Sequence, residues 1–341
     1  MTKSNIRKIC IFAPQKKHMG ENRIHTGTAT VVKNTGSHYL LSELPQWEPF
    51  NAVIRGKLRL SGSTATNPVA VGDRVEYSVA VSQDGEPAEE AAITKVLPRK
   101  NYIIRKSTNL SRQCHILAAN IDMAYLIVTL DCPDTKWPFI DRFLVTCEAY
   151  KVPVTILLNK TDLYENNEEL SAKRELFHDI YKGAGYSIMD ISVITGKGMD
   201  ILRKQCNKGG LSLFSGVSGV GKSSLIKAID PSLDPKTSEI SDKYRQGRHT
   251  TTFYEIYPTH GGGFIIDTPG IRGFGLVDIS QEEISTYFPE MLRVADNCRY
   301  KPCTHTHEPG CAVLEAVENG TISTERYMSY LGMLDEEGKY R

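Results

Sequence analysis

What the 341-residue chain lacks narrows it first. No apolar run approaches the roughly 20 residues that span a bilayer, which excludes a chain built on membrane helices. The basic start, MTKSNIRKICIFAPQKKHMG, holds only the short apolar stretch Ile9 to Phe12, too little for a signal-peptide core, so a soluble, cytoplasmic protein without a membrane partner is expected. Internal repeats and low-complexity tracts are missing as well, which excludes a repeat array. The eight cysteines lack the dense, even spacing of a disulfide framework: five are scattered and three crowd into residues 298–311, a pattern that suits a reduced compartment and one metal site. Net charge is nearly absent, at +1, but by cancellation. Residues 1–106 carry 16 Lys/Arg against 9 Asp/Glu, and residues 107–341 carry 25 against 31. Contact with a polyanion is therefore expected in the first third.

The length allows two or three domains, each with its own core. Residues 1–24 are polar and basic, without a period of 2 or 3.6, and read as a flexible arm. Between 25 and 106 come five short segments rich in β-branched and aromatic residues: Gly27 to Lys33, Tyr39 to Leu41, Ala52 to Leu60, Arg74 to Val81 and Ala91 to Val96. Turn formers such as "NTGS" and "QDGEP" separate them, which predicts a small antiparallel barrel of the OB type. From 107 to 276, buried-strand runs at Met123 to Leu130, Val154 to Leu158, Ile188 to Val193, Leu211 to Phe214 and Phe264 to Ile266 alternate with helix-like stretches such as Ile140 to Tyr150 and Asn167 to Gly183. This predicts an α/β domain with a mostly parallel sheet. Residues 277–341 turn to helical periodicity around a Cys/His cluster.

The segment Gly216-Val217-Ser218-Gly219-Val220-Gly221-Lys222-Ser223, followed by Ser224, matches G-x-x-x-x-G-K-[ST] between an expected strand and an expected helix. Its glycines let backbone N–H groups converge on phosphate oxygens, and the helix start adds a positive end. Lys222 is expected to neutralise the β- and γ-phosphates, and Ser223 to ligate Mg²⁺. Such a loop does not distinguish ATP from GTP.

"NKTD", residues 159–162, follows the strand Val154 to Leu158. The Asp162 carboxylate can accept from guanine N1–H and N2–H₂, donors that adenine lacks; the Asn159 amide suits the O6/N7 edge, and the Lys160 stem can cover the base. "SVITGKG", 192–198, starts with Ser192 at another strand end and can bring backbone N–H groups to the guanine carbonyl. Asp267-Thr268-Pro269-Gly270 ends a further strand: Asp267 is expected to hold Mg²⁺ through water, and the Gly270 N–H to touch the γ-phosphate. Within "GRHTTT", 247–252, Thr251 is the chosen Mg²⁺ ligand, with Thr250 and Thr252 left open. Where many GTPases have a water-orienting glutamine, this chain has Ile271, so His249 is the candidate for that task and joins Lys222 and Thr251 in the catalytic set. In an ordinary GTP-binding domain the cradle precedes the guanine reader; here the order is reversed.

Cys298-x₄-Cys303-x-His305-x₅-Cys311 offers three thiolates and an imidazole, a set for tetrahedral structural Zn²⁺, with His307 as rival for the fourth place. Helical segments flank it at Glu282 to Tyr287 and Ala312 to Asn319.

Taken in order, "RGKLR" (55–59), "VGDRV" (71–75), "AANID" (118–122), "NKTD", "GVSGVGKSSL", "GRHTTT", "DTPGIRGFG" and "CTHTHEPGC" (303–311) closely resemble the circularly permuted bacterial GTPases that depend on the small ribosomal subunit, the RsgA or YjeQ group, over about residues 25–320. The resemblance implies an N-terminal OB-fold, a GTPase domain whose motifs run base-reader first and a C-terminal zinc domain. It also implies slow GTP hydrolysis stimulated by the small subunit, a role in its late maturation with contact to rRNA, His249 as the catalytic histidine, and Cys298, Cys303, His305 and Cys311 as zinc ligands. One departure is Val193, where the family usually has alanine; the contact there is through backbone.

The expectation is a monomeric GTP hydrolase acting as a ribosome assembly factor, with hydrolysis coupled to release. The alternative is a nucleotide-gated RNA-binding module in which hydrolysis is incidental, motivated by the basic first third.

Overall fold

The computed structural model describes residues 23–55, 68–81, 89–106, 114–233, 254–267, 276–277 and 279–338. Strands β1 (Arg23–Asn34), β2 (His38–Ser42), β3 (Phe50–Ile54), β4 (Arg74–Val81) and β5 (Ala91–Val96) run in the order β1-β2-β3-β5-β4, and β4 returns to β1. This closed five-stranded barrel is the expected OB-fold. β1 serves two neighbours: residues 23–30 pair with β4 and residues 30–34 with β2, and an irregularity between Val31 and Lys33 bends it. The expectation of a wholly antiparallel barrel is corrected at β3 and β5, which run parallel. The reason is arithmetic: around a closed ring with an odd number of strands, directions cannot alternate throughout. Inward-facing Val31, Leu41, Ala52, Val75 and Ile93 fill the interior.

Two quoted motifs meet at the base of the barrel. The Arg99 guanidinium grips Asp73 through Nε (2.6 Å) and a terminal nitrogen (2.7 Å), and the Asp73 carboxylate also accepts from the Ala70 N–H. This fixes the "VGDRV" turn, where Gly72 has φ +87° and a Cβ would strike the Ala119 carbonyl. Asn120 of "AANID" donates to the Gly72 carbonyl at 2.9 Å, and the Ala119 N–H donates to Val71. Strands β6 (Tyr102–Lys106) and β7 (Cys114–Ala119), a hairpin that hydrophobic patterning does not single out, thus dock the barrel onto the α/β domain.

The α/β part of the same sheet contains β8 (Met123–Val128), β9 (Val154–Leu158), β10 (Ser187–Asp190), β11 (Leu211–Gly216), β12 (Glu255–Pro258) and β13 (Phe264–Asp267), in the order β10-β9-β8-β11-β13-β12. All neighbours are parallel except β12 with β13. The central strands β8 and β11 are buried along almost their whole length because helices cover both faces. These include α1 (Trp137–Ala149), α2 (Glu168–Ala184), α3 (Met199–Cys206) and α4 (Lys222–Ile229). α2 starts where Asn167 accepts from the Leu170 N–H and stops at Gly185 in the left-handed region. Strand β12 joins this part to the barrel: Lys33 of β1 pairs with Glu255, and their side chains form an ion pair at 2.9 Å.

The C-terminal part is helical: α5 (Gln281–Ile284), α6 (Pro289–Ala295), α7 (Ala312–Glu318) and α8 (Thr324–Gly338), packed around Ile284, Phe288, Met291, Val313 and Tyr330. α8 is bound to α1 by a fully buried ionic group. Arg326 donates to Asp141 at 2.7 Å and to Glu290 of α6 at 2.6 Å, while the Tyr181 hydroxyl of α2 donates to Asp141 at 2.9 Å. Arg293 of α6 also caps the last turn of α2, donating to the Gly183 and Ala184 carbonyls.

Candidate nucleotide site and metal centre

Strands β8, β9, β10, β11 and β13 all point the same way, so the loops at their C-terminal ends gather along one edge of the sheet, where open α/β sheets bind ligands. The reader 159–162 follows β9, the 191–198 loop follows β10, the cradle follows β11, and Asp267 ends β13.

The cradle has the conformation its glycines allow. Gly219 (φ +88°) and Gly221 (φ +93°) lie in the left-handed region, and a Cβ on Gly221 would sit 2.6 Å from the Asn159 amide nitrogen. Val220 is buried and Val217 partly so, whereas Ser218 and Gly219 are on the rim. Lys222, Ser223 and Ser224 form the first turn of α4, with Gly216 buried at the end of β11. The Lys222 ammonium forms an ion pair with the Asp267 carboxylate, both largely shielded, so the expected phosphate lysine and the expected magnesium carboxylate share one point of the site.

Reader and cradle are bonded to each other. Asn159, 2% exposed, donates its side-chain N–H to the Val220 carbonyl at 2.8 Å, and its carboxamide oxygen is buried without a hydrogen-bond partner among the described residues. Lys160, in the left-handed region at φ +61°, reaches over to the carbonyls of Gly219 (2.9 Å) and Cys132. Patterning assigns these two residues to the base alone; here each ties the 159–162 loop to the 216–223 loop. Tyr164 fixes the reader from below, donating to the Asn159 carbonyl and accepting from the Leu130 N–H.

Asp162 is aimed by a residue to whose side chain the sequence assigns no task. The Ser192 hydroxyl donates to its carboxylate at 2.5 Å, and the same hydroxyl accepts from the Thr195 N–H. Thr161 binds the Ile191 carbonyl through both its N–H and its hydroxyl, which holds the reader beside the 191–198 loop. Only a pairing of loops distant in sequence reveals the Ser192 role; nothing in the local string signals it. His249, Thr250, Thr251, Thr252, Gly270 and Ile271 lie outside the described residues.

The second centre lies in the C-terminal part. The ligand atoms of Cys298, Cys303, His305 and Cys311 all fall within 4.8 Å of one another. Cys298 and Cys311 sulfurs are 3.9 Å apart, and His305 Nδ1 is 3.6 and 3.3 Å from them. A tetrahedral zinc with Zn–S near 2.3 Å and Zn–N near 2.0 Å requires separations of about 3.8 and 3.5 Å, so the donors fit that ion. His307 is turned out to solvent and bonds Thr306, which leaves the fourth place to His305. His305 is itself in the left-handed region (φ +55°), its carbonyl held by the Tyr327 hydroxyl. Burial pulls its imidazole below the usual range against the opposing pull of Glu308, which favours the neutral ring a metal needs.

A sequence model of the RsgA GTPase family matches residues 96–277. Proteins of Bacteroides fragilis and Porphyromonas gingivalis, each named small ribosomal subunit biogenesis GTPase RsgA, are 51% and 48% identical over 91% of this chain and 98% and 97% of their own lengths. Among solved structures, YjeQ from Thermotoga maritima is 34% identical with a TM-score of 0.70, covering 92% of this chain and 98% of that one. YloQ, described as a circularly permuted GTPase, shares the fold at a TM-score of 0.67 and 24% identity, over 95% of this chain and 99% of its own. The motif order, the sheet order and these likenesses agree: the chain belongs to the RsgA GTPase family.

Proposed function

We propose that the chain hydrolyses GTP and acts in biogenesis of the small ribosomal subunit, binding the subunit and its rRNA late in maturation and leaving it when GTP is hydrolysed. The observation that carries this reading is the bonded meeting of an N-K-x-D loop and a G-K-S loop in one pocket at the sheet edge. The names of relatives about half identical over nearly the whole chain support its ribosomal part.

In this reading Asp162 selects guanine, aided by Asn159 and by the 191–198 loop, and the backbone of 216–224 cradles the phosphates. GTP brought as its Mg²⁺ complex supplies a cation that neutralises charge on the β- and γ-phosphates. Ser223, Thr251 and Asp267 would hold that ion. Lys222 then exchanges its Asp267 partner for phosphate oxygens, Gly270 senses the γ-phosphate, and His249 orients the attacking water. The Cys298, Cys303, His305 and Cys311 set holds zinc as a structural ion, for four protein donors leave no open position. The barrel and the metal-bearing helices are the surfaces assigned to rRNA, and the chain works as a cytoplasmic monomer with the domain limits 25–106, 107–276 and 277–341.

The test is phosphate release from GTP by the purified chain, alone and with small ribosomal subunits. A marked stimulation by small subunits is expected. Equal rates with and without them, together with unaltered binding to another RNA, would replace this reading with a nucleotide-gated RNA-binding module.

A further inference from the structure

We infer that Arg174 and His178, one turn apart on α2, are positioning residues for base recognition: by clamping Asp190 at the foot of the 191–198 loop they fix the Ser192 hydroxyl that aims Asp162. The inference rests on the guanine-reading role proposed above for Asp162. Arg174 Nε donates to Asp190 Oδ2 at 3.0 Å, a terminal nitrogen of the same guanidinium reaches that oxygen too, and His178 Nε2 bonds Oδ1 at 2.8 Å. Both carboxylate oxygens are therefore held from a single helix face, by residues four apart. The three side chains are largely shielded, at 31%, 16% and 15% exposed for Arg174, His178 and Asp190. Burial pushes the Asp190 carboxyl up, yet the bonds from Arg174 and His178 outweigh it and keep the group below the usual carboxylate range, so the clamp is an ionic one at neutral pH. The buried His178 Nδ1 has no hydrogen-bond partner among the described residues, so the ring is held through Nε2.

The position of Asp190 gives the clamp its consequence. It is the last residue of β10, whose pairing with β9 is made by backbone and needs no side-chain help. The 191–198 loop folds back onto it: a Cβ on Gly198 would strike the Asp190 carbonyl, and the Ser192 N–H donates to Lys197 at 3.1 Å. Two residues after the clamp stands the hydroxyl, 2.5 Å from Asp162. The last turn of α2 is fixed both by Arg293 and by Tyr181 on Asp141, so the helix is a strut between the C-terminal helices and the 191–198 loop.

The test compares GTP with ITP, which lacks the 2-amino group that Asp162 accepts from, in steady-state hydrolysis by the full chain and by Arg174→Ala, Arg174→Lys and His178→Ala. Losing a charge-assisted bond two residues from the aiming hydroxyl should raise KM for GTP by about fivefold with kcat within about twofold. KM for ITP should rise less, so that the ITP to GTP ratio falls, and Arg174→Lys should recover part of the ratio. A merely structural role predicts a lower melting temperature with the ratio unmoved. If Arg174→Ala does not fold, Arg174→Lys and His178→Asn carry the same comparison, and an unchanged ratio in both overturns the inference. A wild-type chain without preference for GTP over ITP would overturn the Asp162 reading instead; a preference kept by every variant overturns only the clamp.

Discussion

The Asn159 amide donates to the Val220 carbonyl at 2.8 Å across 61 positions of sequence, joining the base-reading loop to the phosphate loop. The strand ends converge whatever the order in which the chain visits them, so reversing the motifs leaves the pocket intact. Asn159→Ala removes the joint and leaves a buried carbonyl without its donor, at about 2 kcal/mol or roughly thirtyfold in nucleotide affinity. Titration with a fluorescent guanine nucleotide checks it, and affinity within about twofold of wild type would show the joint to be dispensable.

The Cys298, Cys303, His305 and Cys311 cluster is part of the packing of the C-terminal helices, because Cys298 and Cys311 lie inside the same buried cluster as Phe288 and Met291. Elemental analysis should find one zinc per chain. Chelation, or Cys311→Ser, should loosen residues 279–338 in hydrogen exchange while the sheet around β8 and β11 stays protected.

Arg326 is 1% exposed and is shared by Asp141 of α1 and Glu290 of α6. Arg326→Met strands two buried carboxylates and should cost about 3–5 kcal/mol in denaturant unfolding. Adding Asp141→Asn and Glu290→Gln should return most of it, whereas no recovery would mean that packing and not charge carries the contact.

Asp230, at the end of α4, accepts from the His260 N–H at 2.7 Å and from Ser232, pinning the β12–β13 turn. Burial raises its carboxyl, but these bonds outweigh it and hold it well below the usual range. A carboxyl lowered on folding contributes stability that is present above its unfolded pKa, near 3.9, and is lost as pH falls through the folded value. The melting temperature of wild type should therefore fall on acidification below about pH 4 more steeply than that of Asp230→Asn. Parallel acid limbs would contradict this.

Much of this architecture was legible in the string because it rests on short-range chemistry. The cradle glycines, Asp162 at a strand end and the Cys298–Cys311 spacing are local patterns with local causes. Segments rich in β-branched and aromatic residues between turn formers marked the five barrel strands, and the helix-like stretch from Asn167 marked the start of α2. What escaped was made by partners far apart in sequence. The β6–β7 hairpin draws its place from the Gly72 turn against Ala119, the Ser192 hydroxyl from Asp162 thirty residues earlier, and the Arg326 group from Asp141 and Glu290. The parallel β3–β5 pair follows from closing an odd-stranded ring, a global condition that no single strand states.

The most direct test of the single guanine pocket is Asp162→Asn with GTP and the xanthine nucleotide XTP compared by competition binding. An asparagine amide donates where xanthine presents a carbonyl, so affinity should pass from GTP to XTP, each changing by at least about tenfold. Unchanged GTP affinity in a folded Asp162→Asn chain would contradict the reading that "NKTD" and "GVSGVGKSS" serve one nucleotide.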